Sequence, residues 1–154
     1  MMLRTTLLAG TAMLLLNSCK QNKQEPLFTI AQNSNIQFTN SITETKAFNV
    51  FKYRNFYNGG GVATGDLNND GLPEVFFTAN QGANKLYLNK GNMQFEDISE
   101  KAGFGNKQQW STGVVFADVN ADGWLDIYVC NAGNMLEKPL RKNQLYINNH
   151  NLSF

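Results

Sequence analysis

Proline is scarce in this chain, with three residues in 154, and histidine scarcer still, with only His150. Helical periodicity is weak throughout, whereas asparagine and glycine are plentiful, a mix that suits tight turns between short strands. No charge of one sign dominates. The formal net charge is +1, so no overall field draws the chain to nucleic acid or to an anionic membrane surface. Long apolar runs are lacking too: Leu7 to Leu16 covers ten residues, well short of the roughly 20 a membrane-spanning helix needs. Cysteine is limited to Cys19 and Cys130, which leaves little room for a disulfide framework. What remains, 42% hydrophobic and 16% charged residues, is a globular composition of one ordinary domain's length.

Residues 1–19 read as a targeting segment outside the fold, with Arg4 as a positive head and the short apolar run behind it. The segment ends Leu16-Asn17-Ser18-Cys19, which resembles a bacterial lipobox with Cys19 as the lipidated residue. The plainer alternative is an ordinary secretory signal with a chance cysteine. Residues 20–26 are polar and read as a tether, and residues 27–154 as the folded part. With Cys19 lipidated, Cys130 stands alone in an apolar run, as expected of a buried, inert thiol. The expected location is the cell envelope, as an exported outer-membrane lipoprotein that is periplasmic or surface-exposed.

Two nine-residue acidic loops dominate the folded part: Asp66-Leu67-Asn68-Asn69-Asp70-Gly71-Leu72-Pro73-Glu74 and Asp118-Val119-Asn120-Ala121-Asp122-Gly123-Trp124-Leu125-Asp126. Each places oxygen-bearing side chains at positions 1, 3, 5 and 9, with glycine at position 6 allowing a sharp turn. Alternate residues then face one centre. The first set is Asp66, Asn68, Asp70, Glu74 and the backbone carbonyl of Leu72; the second is Asp118, Asn120, Asp122, Asp126 and the carbonyl of Trp124. Three carboxylates with neutral oxygens favour a hard cation, and Ca²⁺ is expected at both sites. Neither loop carries the sulfur or imidazole that zinc or copper prefers, and Mg²⁺ demands stricter octahedral geometry. These are not EF-hands, which need twelve residues and flanking helices. The plainer reading is that Asp-Gly and Asn-Asp merely form turns, and a recurrence in register counts against it.

That recurrence is part of a repeat. The loops start 52 residues apart, and Gly61–Val75 matches Gly113–Ile127 at six of fifteen positions. Leu86-Tyr87-Leu88-Asn89 matches Leu145-Tyr146-Ile147-Asn148, and Phe95 matches Phe154, both at an offset of 59. The difference implies a surface insertion of about seven residues around 135–141. A fainter echo of Phe95–Ala102 runs from Phe38 to Ala47 and reads as the end of a preceding unit. Short β-branched and aromatic runs predict strands at Val62–Thr64, Val75–Thr78, Lys85–Leu88, Gln94–Ile98, Val114–Ala117, Ile127–Cys130 and Gln144–Ile147. Four short strands per repeat predict an all-β fold, a β-propeller of four-stranded blades with the acidic loop as a hairpin turn.

Asp-x-Asn-x-Asp-Gly-x-x-Asp/Glu after Gly-Val, followed by Leu-Tyr-x-Asn and Phe-x-Asp, resembles the VCBS/FG-GAP repeat, the integrin-α-like propeller repeat. Together with the lipobox it also resembles large lipoproteins of Bacteroidetes-type bacteria. The resemblance implies a propeller of about seven blades, calcium in the hairpin loops and ligand contacts elsewhere. The chain has length for only two to three blades, which predicts an incomplete propeller, the N-terminal part of a longer protein. The expected function is calcium-dependent binding or adhesion to an extracellular protein or glycan, without enzymatic activity; alternatively, the chain is part of a larger propeller enzyme (hydrolase, lyase or dehydrogenase) whose catalytic residues lie outside it.

Three features could mislead. Gly59-Gly60-Gly61 with Gly65 imitates a phosphate loop, but Asp66 stands where lysine is required, so close backbone packing is the better expectation. His150, in an Asn-rich turn, reads as solvated. Phe48, Phe51, Tyr53, Phe56 and Tyr57, with Lys52 and Arg54 among them, read as core between blades, or else as a contact surface.

Overall fold

The computed structural model describes residues 26–105, 109–132 and 141–154. Cys19, the targeting segment, nearly all of the tether and most of the expected insertion lie outside the described residues. The chain divides into two units, Met1–Ile30 and Ala31–Phe154. The described part of the first, residues 26–30, holds no strand. Among the described residues no helix is long and apolar enough to cross a membrane.

The second unit is built from antiparallel β-meanders. In the first sheet β1 (Val62–Gly65), β2 (Glu74–Phe77), β3 (Lys85–Asn89) and β4 (Phe95–Asp97) follow one another in chain order. The second sheet holds β5 (Trp110–Ala117), β6 (Asp126–Ala132) and β7 (Gln144–Tyr146). All seven expected strands are present, and the acidic loops close the β1–β2 and β5–β6 hairpins. Blade-like four-stranded order is complete only in the first sheet; Phe154 joins no strand and packs its ring 5.6 Å from Phe104. Ser99–Ala102 forms a single turn, closed by the Ala102 N–H donating to the Ile98 carbonyl at 2.9 Å.

β5 begins four residues earlier than its sequence pattern implies. A register shift between Ser111 and Val114 marks a bulge, which lets polar Ser111 and Thr112 extend the strand while bending it. The bulged Thr112 carbonyl accepts the Thr78 hydroxyl at 2.7 Å, tying the first sheet to the second. Here the glycines act as expected. A Cβ on Gly60 would lie 2.0 Å from the Thr78 carbonyl oxygen, and one on Gly61 2.6 Å from that of Thr112. Close by, Asn80, Asn84, Ser111 and Asn131 are buried and bonded to one another or to the backbone, so no desolvated donor is left idle.

The sheets stack face to face over one core, with Phe76, Leu86, Ile98 and Phe104 meeting Ile127, Val129 and Tyr146. Strand alternation shows the sense of the stacking. The inner face of the second sheet (Phe116, Ile127, Val129, Tyr146) uses the repeat positions of Thr64, Val75, Phe77 and Tyr87. Those four lie on the first sheet's opposite face, away from the second sheet. The blades are therefore related head to tail, unlike faces in contact. Consequently Tyr128 and Leu145 are 37% and 49% exposed, whereas their repeat equivalents Phe76 and Leu86 are fully buried.

The first sheet's other face is covered from upstream. Phe38 stacks on Phe77 at 4.8 Å, the Tyr87 hydroxyl donates to the Gln37 carbonyl at 2.7 Å, and the Phe95 N–H donates to the Ser34 carbonyl at 3.0 Å. This segment was expected to be the end of a preceding unit. It does cover the blade, but it forms no strand, because its contacts run through side chains and isolated backbone bonds instead of a ladder.

The aromatic cluster divides. Phe48, Tyr53 and Phe56 gather around Trp110 at centroid distances of 4.9, 5.7 and 5.2 Å, each pair worth about 0.5–1.5 kcal/mol beyond area burial. Phe51, by contrast, is 95% exposed. Cys130 is free and half-buried, less enclosed than its apolar neighbours imply, since its side chain stands on the uncovered face beside Tyr128.

Candidate functional site

Each acidic loop turns through two left-handed residues, and the second repeats the first. Asn69 and Gly71 have φ of 58° and 85°; Ala121 and Gly123 have 60° and 86°. Such angles favour glycine and asparagine, which explains Gly71 and Gly123 and leaves Ala121 as the strained member.

The hydrogen bonds repeat as well. Asp66 accepts the N–H groups of Asp70 (3.1 Å) and Gly71 (2.8 Å), and Asp118 those of Asp122 (3.1 Å) and Gly123 (2.9 Å). Asn68 donates its amide to Asp70 at 2.9 Å, and Asn120 to Asp122 at 2.8 Å. Asp70 in turn accepts the Leu72 N–H at 2.8 Å, and Asp122 the Trp124 N–H at 2.9 Å. Positions 1, 3 and 5 are thus held on one turn of backbone. The N–H groups fix each carboxylate's orientation while leaving its oxygens further lone pairs.

Position 9 differs in burial. Glu74 is fully buried and Asp126 nearly so. One oxygen of Glu74 accepts the Leu67 N–H at 2.8 Å, and one of Asp126 the Val119 N–H at 3.0 Å. The other oxygen faces the β3 or β7 end: Asn89 N–H donates to Glu74 at 3.4 Å, and Asn148 N–H to Asp126 at 2.8 Å. Burial pushes the Glu74 carboxyl above the usual carboxylate value; the Leu67 and Asn89 amides pull it down, and Asp70 and Asp66 add to the upward push. A cation held beside Glu74 would favour its charged form.

Among the described residues no group of three or more His, Cys, Asp or Glu side chains is gathered tightly enough to hold a metal. The reason is visible in the loops: the position-9 acids are turned to backbone donors, leaving two carboxylates and one asparagine oxygen gathered on the turn. The donor set is nonetheless all hard oxygen, and it fits a calcium-type cation provided that Glu74 or Asp126 and the carbonyl of Leu72 or Trp124 join it.

Residues that carry the repeat without being acidic prove to brace it. Asn89 donates its side-chain amide to the Pro73 carbonyl at 3.0 Å, and Asn148 to the equivalent Leu125 carbonyl at 3.1 Å. Both are the last residue of Leu-Tyr-x-Asn, so the signal was in the repeat, though nothing in spacing alone showed where the side chain reaches. His150 is not simply solvated. Its ring stacks on Trp124 at 4.8 Å, and Nε2 lies 3.1 Å from Asp122. That contact, followed by the bonds from Trp124 and Asn120, holds the Asp122 carboxyl below its usual value.

The glycine-rich stretch brings no phosphate-binding lysine to the loop; its glycines serve the sheet contacts described above. Residues 66–129 match the family model of the FG-GAP-like repeat, which spans the first acidic loop through most of β6. Such repeats build β-propellers, in keeping with the two blade-like sheets. Three relatives share sequence with about half of the chain, all of them cartilage acidic protein 1. The Xenopus tropicalis protein is 39% identical over 74 residues, 47% of this chain; the Mus musculus protein 36% over 69 residues, 45%; and the Homo sapiens protein 36% over 72 residues, 46%. In each case the shared stretch spans 11% of the relative's own length. The stretch from Asp66 to Val129 is thus similar to an FG-GAP-like repeat.

Proposed function

We propose that this chain is a calcium-clamped β-propeller module of a cell-envelope lipoprotein, binding an extracellular protein or glycan and catalysing no reaction. One observation carries the calcium reading: two loops in successive blades repeat the same oxygen positions, left-handed residues and hydrogen bonds. Asp66, Asn68, Asp70, Glu74 and the Leu72 carbonyl would hold one ion; Asp118, Asn120, Asp122, Asp126 and the Trp124 carbonyl would hold the other. A bound cation supplies charge compensation. The loop side chains then lock each hairpin, and the blades present a rigid surface to the partner.

Calorimetric titration of calcium into the chelator-treated full chain tests this directly. Two sites are expected, with dissociation constants of about 10⁻⁴–10⁻³ M, as in extracellular calcium modules. Absence of binding heat up to ~10 mM, tenfold above that range, would remove the reading. The anchor is tested separately: labelled fatty acid should enter the wild-type protein in cells and not Cys19→Ala, and equal labelling would discard Cys19 as the lipid site.

A further inference from the structure

Hydrogen bonds join the two acidic loops into one circuit. Glu74 closes the first loop by accepting the Leu67 N–H at 2.8 Å. The Leu67 carbonyl accepts the side-chain amide of Asn148 at 2.7 Å, from a residue 81 positions away. The same Asn148 donates its backbone N–H to Asp126 at 2.8 Å, and Asp126 closes the second loop on the Val119 N–H at 3.0 Å. Position 9 of one blade is thereby connected to position 9 of the next through two residues, the backbone of Leu67 and the side chain and N–H of Asn148. A second, outer link runs from the Asn69 side-chain amide to the Gly123 carbonyl at 3.2 Å.

Asn148 is equipped for this and little else. It is 2% exposed, and the rest of its side chain is used: its amide also reaches the Leu125 carbonyl at 3.1 Å, and its side-chain oxygen accepts the His150 N–H at 2.9 Å. A buried polar group with every bond made rigidifies what it joins, and losing one partner strands the others. Its repeat counterpart Asn89 makes the intra-blade bonds, to Pro73 and Glu74.

We propose that Asn148 is a bridging residue that couples the two loops across the blade interface, so that ordering one loop orders the other and filling one raises the other's affinity for a cation. The cation half rests on the calcium reading; the mechanical half does not. Coupling is reciprocal, so it can be read from either loop.

Two measurements on the full chain separate these halves. In chelator, hydrogen exchange at the Leu67 and Val119 amides is compared between wild type, Asn148→Ala and Asn89→Ala. Asn148→Ala should speed exchange at both amides, about fivefold or more. Asn89→Ala, whose side chain touches the first blade alone, should speed Leu67 directly and Val119 through the intact Asn148 bridge; an unchanged Val119 in Asn89→Ala overturns the coupling. If Asn148→Ala leaves Leu67 unchanged, its role is local to its own blade and the coupling is overturned. Terbium, excited through Trp124, then reports filling of the second loop. Silencing the first loop with Asp70→Asn should weaken that binding about fivefold in the wild-type background and leave it unchanged in Asn148→Ala. Equal weakening in both backgrounds, or none in either, overturns cation coupling, while a wild-type chain with no terbium signal overturns the calcium reading itself. Should Asn148→Ala fail to fold, Asn148→Ser keeps the backbone bond to Asp126 but is too short to reach Leu67, and is read the same way.

Discussion

Replacing Gly61 by alanine probes a close backbone approach of the two blades. The added Cβ would fall 2.6 Å from the Thr112 carbonyl oxygen, 3.2 Å from Gly113 Cα and 3.4 Å from Val114 N. All three are backbone atoms of β5, so no side chain can swing aside. A carbon meets a carbonyl oxygen comfortably at about 3.3 Å, so the strands must part by roughly 0.7 Å. The same carbonyl accepts the Thr78 hydroxyl, which also donates toward the Gly61 carbonyl and accepts the Gly61 N–H at 2.6 Å. Overpacking costs about 1–3 kcal/mol, and one weakened buried hydrogen bond about 1 kcal/mol more. For a domain of this size the sum lowers Tm by on the order of 10 °C. Gly82→Ala is the control, since its Cβ would meet nothing closer than Ala79 Cβ at 3.5 Å; its Tm should stay within about 2 °C of wild type. The assay is thermal unfolding followed by far-ultraviolet circular dichroism. If Gly61→Ala melts alongside Gly82→Ala, β1 and β5 do not meet as described.

Two further substitutions test local features. Ala121 sits at φ 60° where its repeat counterpart is Asn69 at 58°; Ala121→Asn should therefore relieve about 0.5–1 kcal/mol of strain and raise Tm by a few degrees in a thermal melt, and a fall would remove the strain argument. Lys85 donates to Asp97 at 2.8 Å, with their side chains 32% and 40% exposed, and this bond raises the Lys85 ammonium's pKa. Burial pushes the Asp97 carboxyl up, but bonds from Lys85 and Ser99 outweigh it and hold the group below its usual value. A depressed carboxylate stabilises the fold above its unfolded pKa, and that contribution is lost as pH falls through the folded one. Lys85→Met should accordingly flatten the stability profile below about pH 4, while costing under about 1 kcal/mol at neutral pH because solvent screens the pair. An unchanged acid limb in chemical denaturation would show that the pair does not set it.

Local periodicity made the hairpins legible. Alternating Asp and Asn with glycine sixth can form only a tight turn, and β-branched runs on either side must pair across it, so both acidic loops and all seven strands could be read in advance. What stayed hidden depends on contacts distant in sequence. Asn148 reads as one more turn-former until its amide is seen on the Leu67 carbonyl of the other blade. The β5 bulge between Ser111 and Val114 went unread, since its place is fixed by pairing with β6 and by the Thr112 carbonyl's bond to Thr78 of the other sheet. Phe51 resembles its aromatic neighbours in sequence but points outward, since Phe48, Tyr53 and Phe56 already fill the space around Trp110. His150 gave no hint of its stack on Trp124, which depends on how the two turns are brought together.

The central claim, that the paired acidic loops clamp the blades through calcium, is tested most directly by calorimetric melting of the intact chain. Scans would be run in chelator and in ~10 mM calcium, for wild type and for the double variant Asp66→Asn/Asp118→Asn. Metal held only by the folded form raises Tm by mass action, about 1.4 kcal/mol per site at tenfold excess over Kd. Two sites then shift the melt by on the order of 10 °C. The account predicts that shift in the wild type and its loss in the variant; coincident wild-type melts in calcium and in chelator would contradict it.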